Sequence, residues 1–108
     1  MDIYLLYAPI FLGLFHQNQV IGVLSGHGTG QDGFRIRGLY VEPEFRNHGG
    51  AHLLMEGMRV ESAKQGFTWM WSYPKLSALP VYEKFGFKIH PSSEADSEHV
   101  YVLRKTET

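Results

Sequence analysis

The chain has 108 residues, 44% hydrophobic and 14% aromatic, and a formal net charge of −1 at pH 7. That length holds one packed domain over residues 1–108 rather than a disordered chain, and a core burying roughly two-thirds of the unfolded surface. Scattered Lys and Arg exclude a face that tracks nucleic-acid phosphates, and the absence of cysteine excludes disulfides, thiolate metal sites and a cysteine nucleophile.

The opening stretch, MDIYLLYAPIFLGLF, carries Asp2 and Pro9 and lacks a basic leader and a small-residue cleavage site. It is too short to span a bilayer, so it reads as buried strand in a cytoplasmic protein. Strands follow at residues 10–16 and 20–25, joined by a polar turn, Gln17-Asn18-Gln19. Residues 26–33 (GHGTGQDG) have the composition of a phosphate loop, but a strand follows them rather than a helix, so they read as a flexible connection. Residues 34–42 are a strand with Phe34, Ile36, Leu39 and Val41 inward. The phase slips between Ile36 and Leu39, which indicates a bulge at Gly38.

Pro43 ends that strand, and residues 44–50 form a loop that opens a helix. There Ala51, Leu54, Met55 and Met58 share one buried face, and Gly66 stops the helix. Gly57 inside it costs about 1 kcal/mol relative to Ala. Residues 67–73 are an aromatic strand whose Trp69, Trp71 and Tyr73 alternate onto one face, as core or as a dimer surface. Ser77 is the expected cap of a short second helix, with Pro80 in its first turn, Leu79, Tyr82 and Phe85 inward, and Gly86 as its stop. Strands at 87–89 and 99–103 flank a polar loop at 91–98. The order is β-β-β-α-β-α-β-β, an α/β chain of the α+β kind: a mixed sheet with two packed helices.

The segment Leu39-Tyr40-Val41-Glu42-Pro43, then Arg46-Asn47-His48-Gly49-Gly50-Ala51, runs a strand through a glycine-bearing loop into a helix. The first turn of a helix presents unpaired N–H groups and partial positive charge, where a pyrophosphate can sit if no side chain blocks the backbone. Gly49, Gly50 and Ala51 keep that approach clear, and Arg46 can add a charge-assisted contact. His48, His52 and Glu56 recur every four residues, but the stripe begins in the loop and runs outward, so no metal site is expected.

Arg46-x-x-Gly49-x-Ala51 resembles the Q/R-x-x-G-x-G/A signature of the GNAT acetyltransferase superfamily, and the preceding Leu-x-Val-x-Pro resembles the end of that family's fourth strand. Downstream, Ser77-Ala78-Leu79-Pro80-Val81-Tyr82-Glu83-Lys84-Phe85-Gly86-Phe87 is similar to the family's late-helix motif, in the family's order and at its usual separation. The similarity covers residues 10–104. It implies a mostly antiparallel sheet with splayed central strands, and a direct transfer of acetyl from acetyl-CoA, with no metal, to a primary amine on a small molecule or peptide. It further implies that backbone groups of Leu39, Tyr40 and Val41 pair with the pantetheine arm. N–H groups from Asn47 through His48, Gly49, Gly50 and Ala51 hold the pyrophosphate, Tyr82 protonates the departing thiolate, and an N–H near Val41 holds the oxyanion.

The chain departs from the family pattern at three places. About nine residues precede the first hairpin, where the family has a strand and two helices lining the acceptor side. The acceptor wall is therefore expected from a second subunit in a homodimer, or is absent. The family's frequent carboxylate base is replaced by Arg35 and Arg37, leaving Glu42 as the nearest acid and His27 as another candidate. Lys75 stands where the family often has Asn. These departures leave open a non-catalytic acyl-CoA-binding module or an accessory subunit, while Tyr82 and the intact loop favour the enzyme.

Overall fold

In the computed structural model, residues 9–30, 32–93 and 98–107 are described. The strand expected at the very front, up to Ala8, lies outside them, as do parts of the loop expected at 91–98. Gln17 and Asn18 both take positive φ, 50° and 66°, the backbone of a two-residue hairpin turn whose twist suits the strands it joins. It connects β1 (Ile10–His16) to β2 (Gln19–Gly28), with Gln19 already paired to His16.

β2 runs three residues beyond its expected end and takes in Gly26, His27 and Gly28, which pair with Ile36, Arg35 and Phe34 of β3 (Gly33–Val41). Half of the supposed flexible loop is therefore strand. The reason is packing: a Cβ on Gly26 would overlap the Phe34 ring, so the glycine lets a core phenylalanine lie across its neighbour. The bulge expected at Gly38 is present. Val23 pairs with Tyr40 but Ser25 with Arg37, which puts one extra residue on β3, and Gly38 takes φ +65°.

A single 3₁₀ turn, Pro43–Phe45, leads to α1 (Gly50–Lys64), whose Leu54, Met55 and Met58 are buried as the periodicity requires. Gly57 has a packing role, because a Cβ there would stand 3.1 Å from Leu12 Cδ1. The aromatic strand is shorter than expected, β4 (Trp69–Ser72). Ser77 does not cap the second helix. It lies in a 3₁₀ turn (Leu76–Ala78), and α2 (Leu79–Lys84) begins after Ala78 without a side-chain cap. A two-residue β5 (Lys88–Ile89) follows, and the closing strand β6 (Val102–Lys105) starts three residues later than expected. His99 and Val100 pair instead with Lys75 and Pro74, which draws them into the loop ahead of α2.

The strands form one mixed sheet in the order β1-β2-β3-β4-β6-β5, antiparallel except between β3 and β4. Met55 and Met58 of α1 and Tyr82 of α2 join one core cluster with Leu24, Phe34, Ile36, Met70 and Val102 of the sheet. The opposite face carries Phe11, Val23, Trp69 and Tyr73, all substantially exposed. No helix among the described residues is long and apolar enough to cross a membrane.

Candidate functional site

β3 and β4 pair over three rungs only, Gly33 with Trp69, Phe34 with Met70 and Arg35 with Trp71. At the next rung a side chain replaces the ladder: Ser72 Oγ donates to the Ile36 carbonyl at 2.8 Å. Beyond it β3 continues to Val41 while β4 ends, so the two strands fork. The same Ser72 oxygen lies 3.4 Å from the Tyr82 hydroxyl, which sets the phenol at the fork. Tyr82 is only 4% exposed and packs edge-to-face on Phe87, ring centroids 5.3 Å apart. Burial pushes its pKa above the ordinary tyrosine value and the Ser72 hydrogen bond offsets part of that rise, so the group holds its proton at neutral pH.

The register decides which backbone groups face the fork. Glu42 N–H donates to Ile21 O at 2.7 Å, which makes that pair a hydrogen-bonded one. Pairs alternate along an antiparallel ladder, so the Gly22–Val41 pair is not hydrogen-bonded and the N–H and C=O of Val41 point away from β2. The Val41 carbonyl then accepts from Arg46 Nε at 2.7 Å, and the Arg46 guanidinium lies 5.4 Å from the Tyr40 ring centroid. Arg46 spends Nε alone on that bond, so its expected contact with a pyrophosphate is left to its other donors. It ties the loop back onto the strand with one of its donors, and the N–H is the Val41 group left for a ligand arm.

Past Arg46 the chain turns twice through left-handed backbone, at Asn47 (φ +66°) and Gly49 (φ +84°). Asn tolerates that region, and a β-branched residue at 49 would not. Gly49 is the N-cap of α1, with no side-chain cap and no acidic residue in the first turn. The first intrahelical bond runs from Leu53 N–H to Gly49 O at 3.1 Å, which leaves the N–H groups of Gly50, Ala51 and His52 without helical partners. A Cβ on Gly49 would meet nothing within 4 Å, so the mouth of the helix is open.

Gly50 differs from its expected role. Its Cβ would come 2.6 Å from Leu14 Cδ2 and 3.9 Å from Val41 Cγ1, so this glycine seats the helix against β1 and beside the end of β3 rather than clearing the mouth. His48 is exposed, Ala51 half-buried, Leu39 half-buried at the bulge and Tyr40 exposed. Glu42 is half-buried at the strand end, ahead of the 3₁₀ turn.

Two participants escaped the sequence reading. Ser72 ties the fork to Tyr82, and its only signal was a small polar residue at a buried position of an aromatic strand. His52 supplies a third bare N–H, and its ring rests edge-on against Phe85 at 5.1 Å, so the helix mouth and the end of α2 touch. Glu56 bonds Arg59 through Nε at 2.6 Å and is spent on that pair. A buried proton donor, a strand end with an outward N–H and an uncapped helix mouth thus stand along one fork. That arrangement can bind an anion at the helix, take an extended chain along β3 and protonate a leaving group.

Residues 8–89 match the family model of the acetyltransferase (GNAT) domain. A comparison with curated protein sequences finds no match. Among solved structures, the chain is similar to the PaiA N-acetyltransferase from Thermoplasma acidophilum in complex with coenzyme A, with TM-score 0.79 and 21% identity over 90% of this chain and 60% of that one. It is also similar to an aminoglycoside 6′-N-acetyltransferase complexed with coenzyme A (TM-score 0.79, 16% identity, 93% of this chain and 74% of that one). A third is a GNAT family acetyltransferase from Elizabethkingia anophelis with acetyl-CoA bound (TM-score 0.77, 14% identity, 91% and 76%). At these identities the likeness is one of fold. The chain spans 60% of the length of the Thermoplasma protein.

Proposed function

Because this chain belongs to the acetyltransferase (GNAT) domain family, we propose that it binds acetyl-CoA along the β3–β4 fork and transfers the acetyl group directly to a primary amine. The carrying observation is the uncapped mouth of α1, with bare N–H groups at Gly50, Ala51 and His52, set beside Val41 at the open end of β3. In this reading the diphosphate sits on those groups and on the N–H groups of the turn from Asn47 through His48 to Gly49. The pantetheine arm runs along Leu39, Tyr40 and Val41 as an added strand. The Val41 N–H pairs with that arm, and a β3 N–H deeper in the fork holds the oxyanion that forms when the amine attacks the thioester carbonyl. As the intermediate collapses, the carbon–sulfur bond breaks and Tyr82 delivers its proton to the thiolate. Glu42, at the strand end, is the candidate to receive the amine's proton, through water.

The fit of the cofactor rests on this chain's own geometry: an open space over Gly49 and no acidic residue in the first turn to repel a diphosphate. A second copy is the proposed partner, docking on the outer sheet face where Phe11 is 76% and Phe15 65% exposed and walling the acceptor side. A cytoplasmic location suits a reaction that draws on acetyl-CoA. The test is release of free thiol from acetyl-CoA, followed with and without an amine. Thiol release that depends on the amine supports transfer. Tight acetyl-CoA binding with no release for any amine would leave the module that only binds acyl-CoA, a reading favoured by the arginines standing where the family often has a carboxylate.

A further inference from the structure

The sheet face away from the helices carries cations that the proposed transfer does not use, and the role inferred for them rests on that transfer. Arg35 is the last β3 residue paired with β4, opposite Trp71. Arg37 is the next residue on the same face, just past the fork. Side chains alternate along a strand, so both lie opposite the buried Phe34 and Ile36, with roughly 6.8 Å between their Cα atoms. They flank the place where the thioester would lie, on the face opposite Tyr82.

The floor beneath Arg35 is fixed. Its guanidinium lies 5.0 Å from the Trp71 ring centroid. The Trp71 indole N–H donates to Thr29 Oγ1 at 3.0 Å, and the Tyr101 ring packs on the same indole at 5.5 Å. Yet Arg35 Nε is buried and has no hydrogen-bond partner. A buried N–H on a cation is among the costliest groups to leave unmatched, and such a group calls for an ion or ligand. The facing residues on β2 offer no acid: His27 stands opposite Arg35, and Ser25 opposite Arg37. Among the described residues the ion pairs lie on α1, Glu56 with Arg59 and Glu61 with Lys64, and neither arginine takes part.

We infer that Arg35 and Arg37 bind an anionic group, a carboxylate or a phosphate, on the acceptor itself. The arginines sit one rung to either side of the fork. The acceptor's amine and its anion are therefore separated by a short spacer, about the reach of one or two strand residues (~3–7 Å). Arg35 and Arg37 then select the acceptor and hold its amine at the thioester. Two arginines in place of a carboxylate also turn away polyamines, because a second cation on the acceptor would be repelled.

The test uses the full chain with acetyl-CoA and five acceptors: 4-aminobutyrate, its amide, O-phosphoethanolamine, ethanolamine and 1,4-diaminobutane. One anion should exceed its neutral counterpart in kcat/KM by at least about tenfold, the scale of one charge-assisted hydrogen bond. Whether that is the carboxylate or the phosphate identifies the source. Arg37→Gln, at an exposed position, and Arg35→Gln should each reduce the preference several-fold, with the acetyl-CoA dissociation constant unchanged. Preference for the diamine, or an anion preference that survives both substitutions, overturns the inference and leaves the transfer reading standing. If no amine is acetylated, the transfer reading fails, and tryptophan fluorescence still decides the anion site. In CoA-saturated protein, 4-acetamidobutyrate should quench and its amide should not, with the quench lost in Arg35→Gln. Equal response to both overturns the inference.

Discussion

Replacing Tyr82 with phenylalanine separates chemistry from packing. The ring keeps its edge-to-face contact with Phe87 at 5.3 Å, and Ser72 keeps its 2.8 Å bond to the Ile36 carbonyl. Only the hydroxyl is lost, and its partner is a 3.4 Å neighbour. The stability change should therefore stay within about 1 kcal/mol, a shift in Tm of at most a few degrees, and the acetyl-CoA dissociation constant should hold within about twofold. Turnover is another matter. A positioned general acid contributes about 10²–10⁴ in rate, equivalent to ~2.7–5.4 kcal/mol of barrier. The assay is thiol release across pH 6–11, beside a thermal melt of each protein. Burial raises the folded phenol above its ordinary 10.0, so the wild type should show an alkaline limb above about pH 10, and the variant should lack that limb. The same sign governs folding: the stability from a buried, protonated Tyr82 is complete below the unfolded value and is lost as pH rises through the raised one. An unchanged kcat in Tyr82→Phe would falsify its assignment as the acid.

Other substitutions probe the scaffold. Gly50→Ala puts a Cβ 2.6 Å from Leu14 Cδ2 and should cost ~1–3 kcal/mol by overpacking, read by urea denaturation. Trimming Leu14 to Ala in the same protein should recover part of that loss. Ser72→Ala strips the Ile36 carbonyl of its buried donor and should cost about 1–3 kcal/mol, with kcat falling more than acetyl-CoA affinity. Arg59 holds the Glu56 carboxyl below its ordinary 4.5, chiefly through their hydrogen bond. The Glu56 side chain is 39% exposed, so Glu56→Gln should cost under about 1 kcal/mol at pH 7. That contribution is present above the unfolded value and lost as pH falls through the lowered one, so variant and wild type should converge in thermal melts as the pH is taken down through that range.

The strand phase, the Gly38 bulge and the buried face of α1 were legible because each is a local rule with a short period. Phe34, Ile36 and Val41 point inward before the bulge and after it, and Leu54, Met55 and Met58 fall on one stripe. The late-helix motif also lies where its pattern put it, with Tyr82 at the fork. What escaped depends on partners distant in sequence. Gly26 and Gly50 read as flexible or clearing residues, but Phe34 and Leu14 decide their meaning. The tie from Arg46 to the Val41 carbonyl likewise shows nowhere in its own segment. HVYVL alternates like a strand from residue 99, yet Val100 N–H goes to Pro74 O at 3.0 Å, and pairing with β4 begins only at Val102. Ser77 has the chemistry of a cap, but the 3₁₀ turn moves the helix start one residue past it.

The mouth of α1 carries the functional reading, and calorimetric titration of acetyl-CoA tests it most directly. Gly49→Glu would set a carboxylate in open space at the uncapped N–H groups, competing with the diphosphate for them, whereas Gly49→Ala adds only a methyl group and about 1–2 kcal/mol of backbone strain at φ +84°. The wild type should bind, the alanine variant should bind within a few-fold while folded, and the glutamate variant should lose at least about a hundredfold (~2.7 kcal/mol). Equal affinity in the glutamate variant, or a wild type that ignores acetyl-CoA at millimolar concentration, contradicts it.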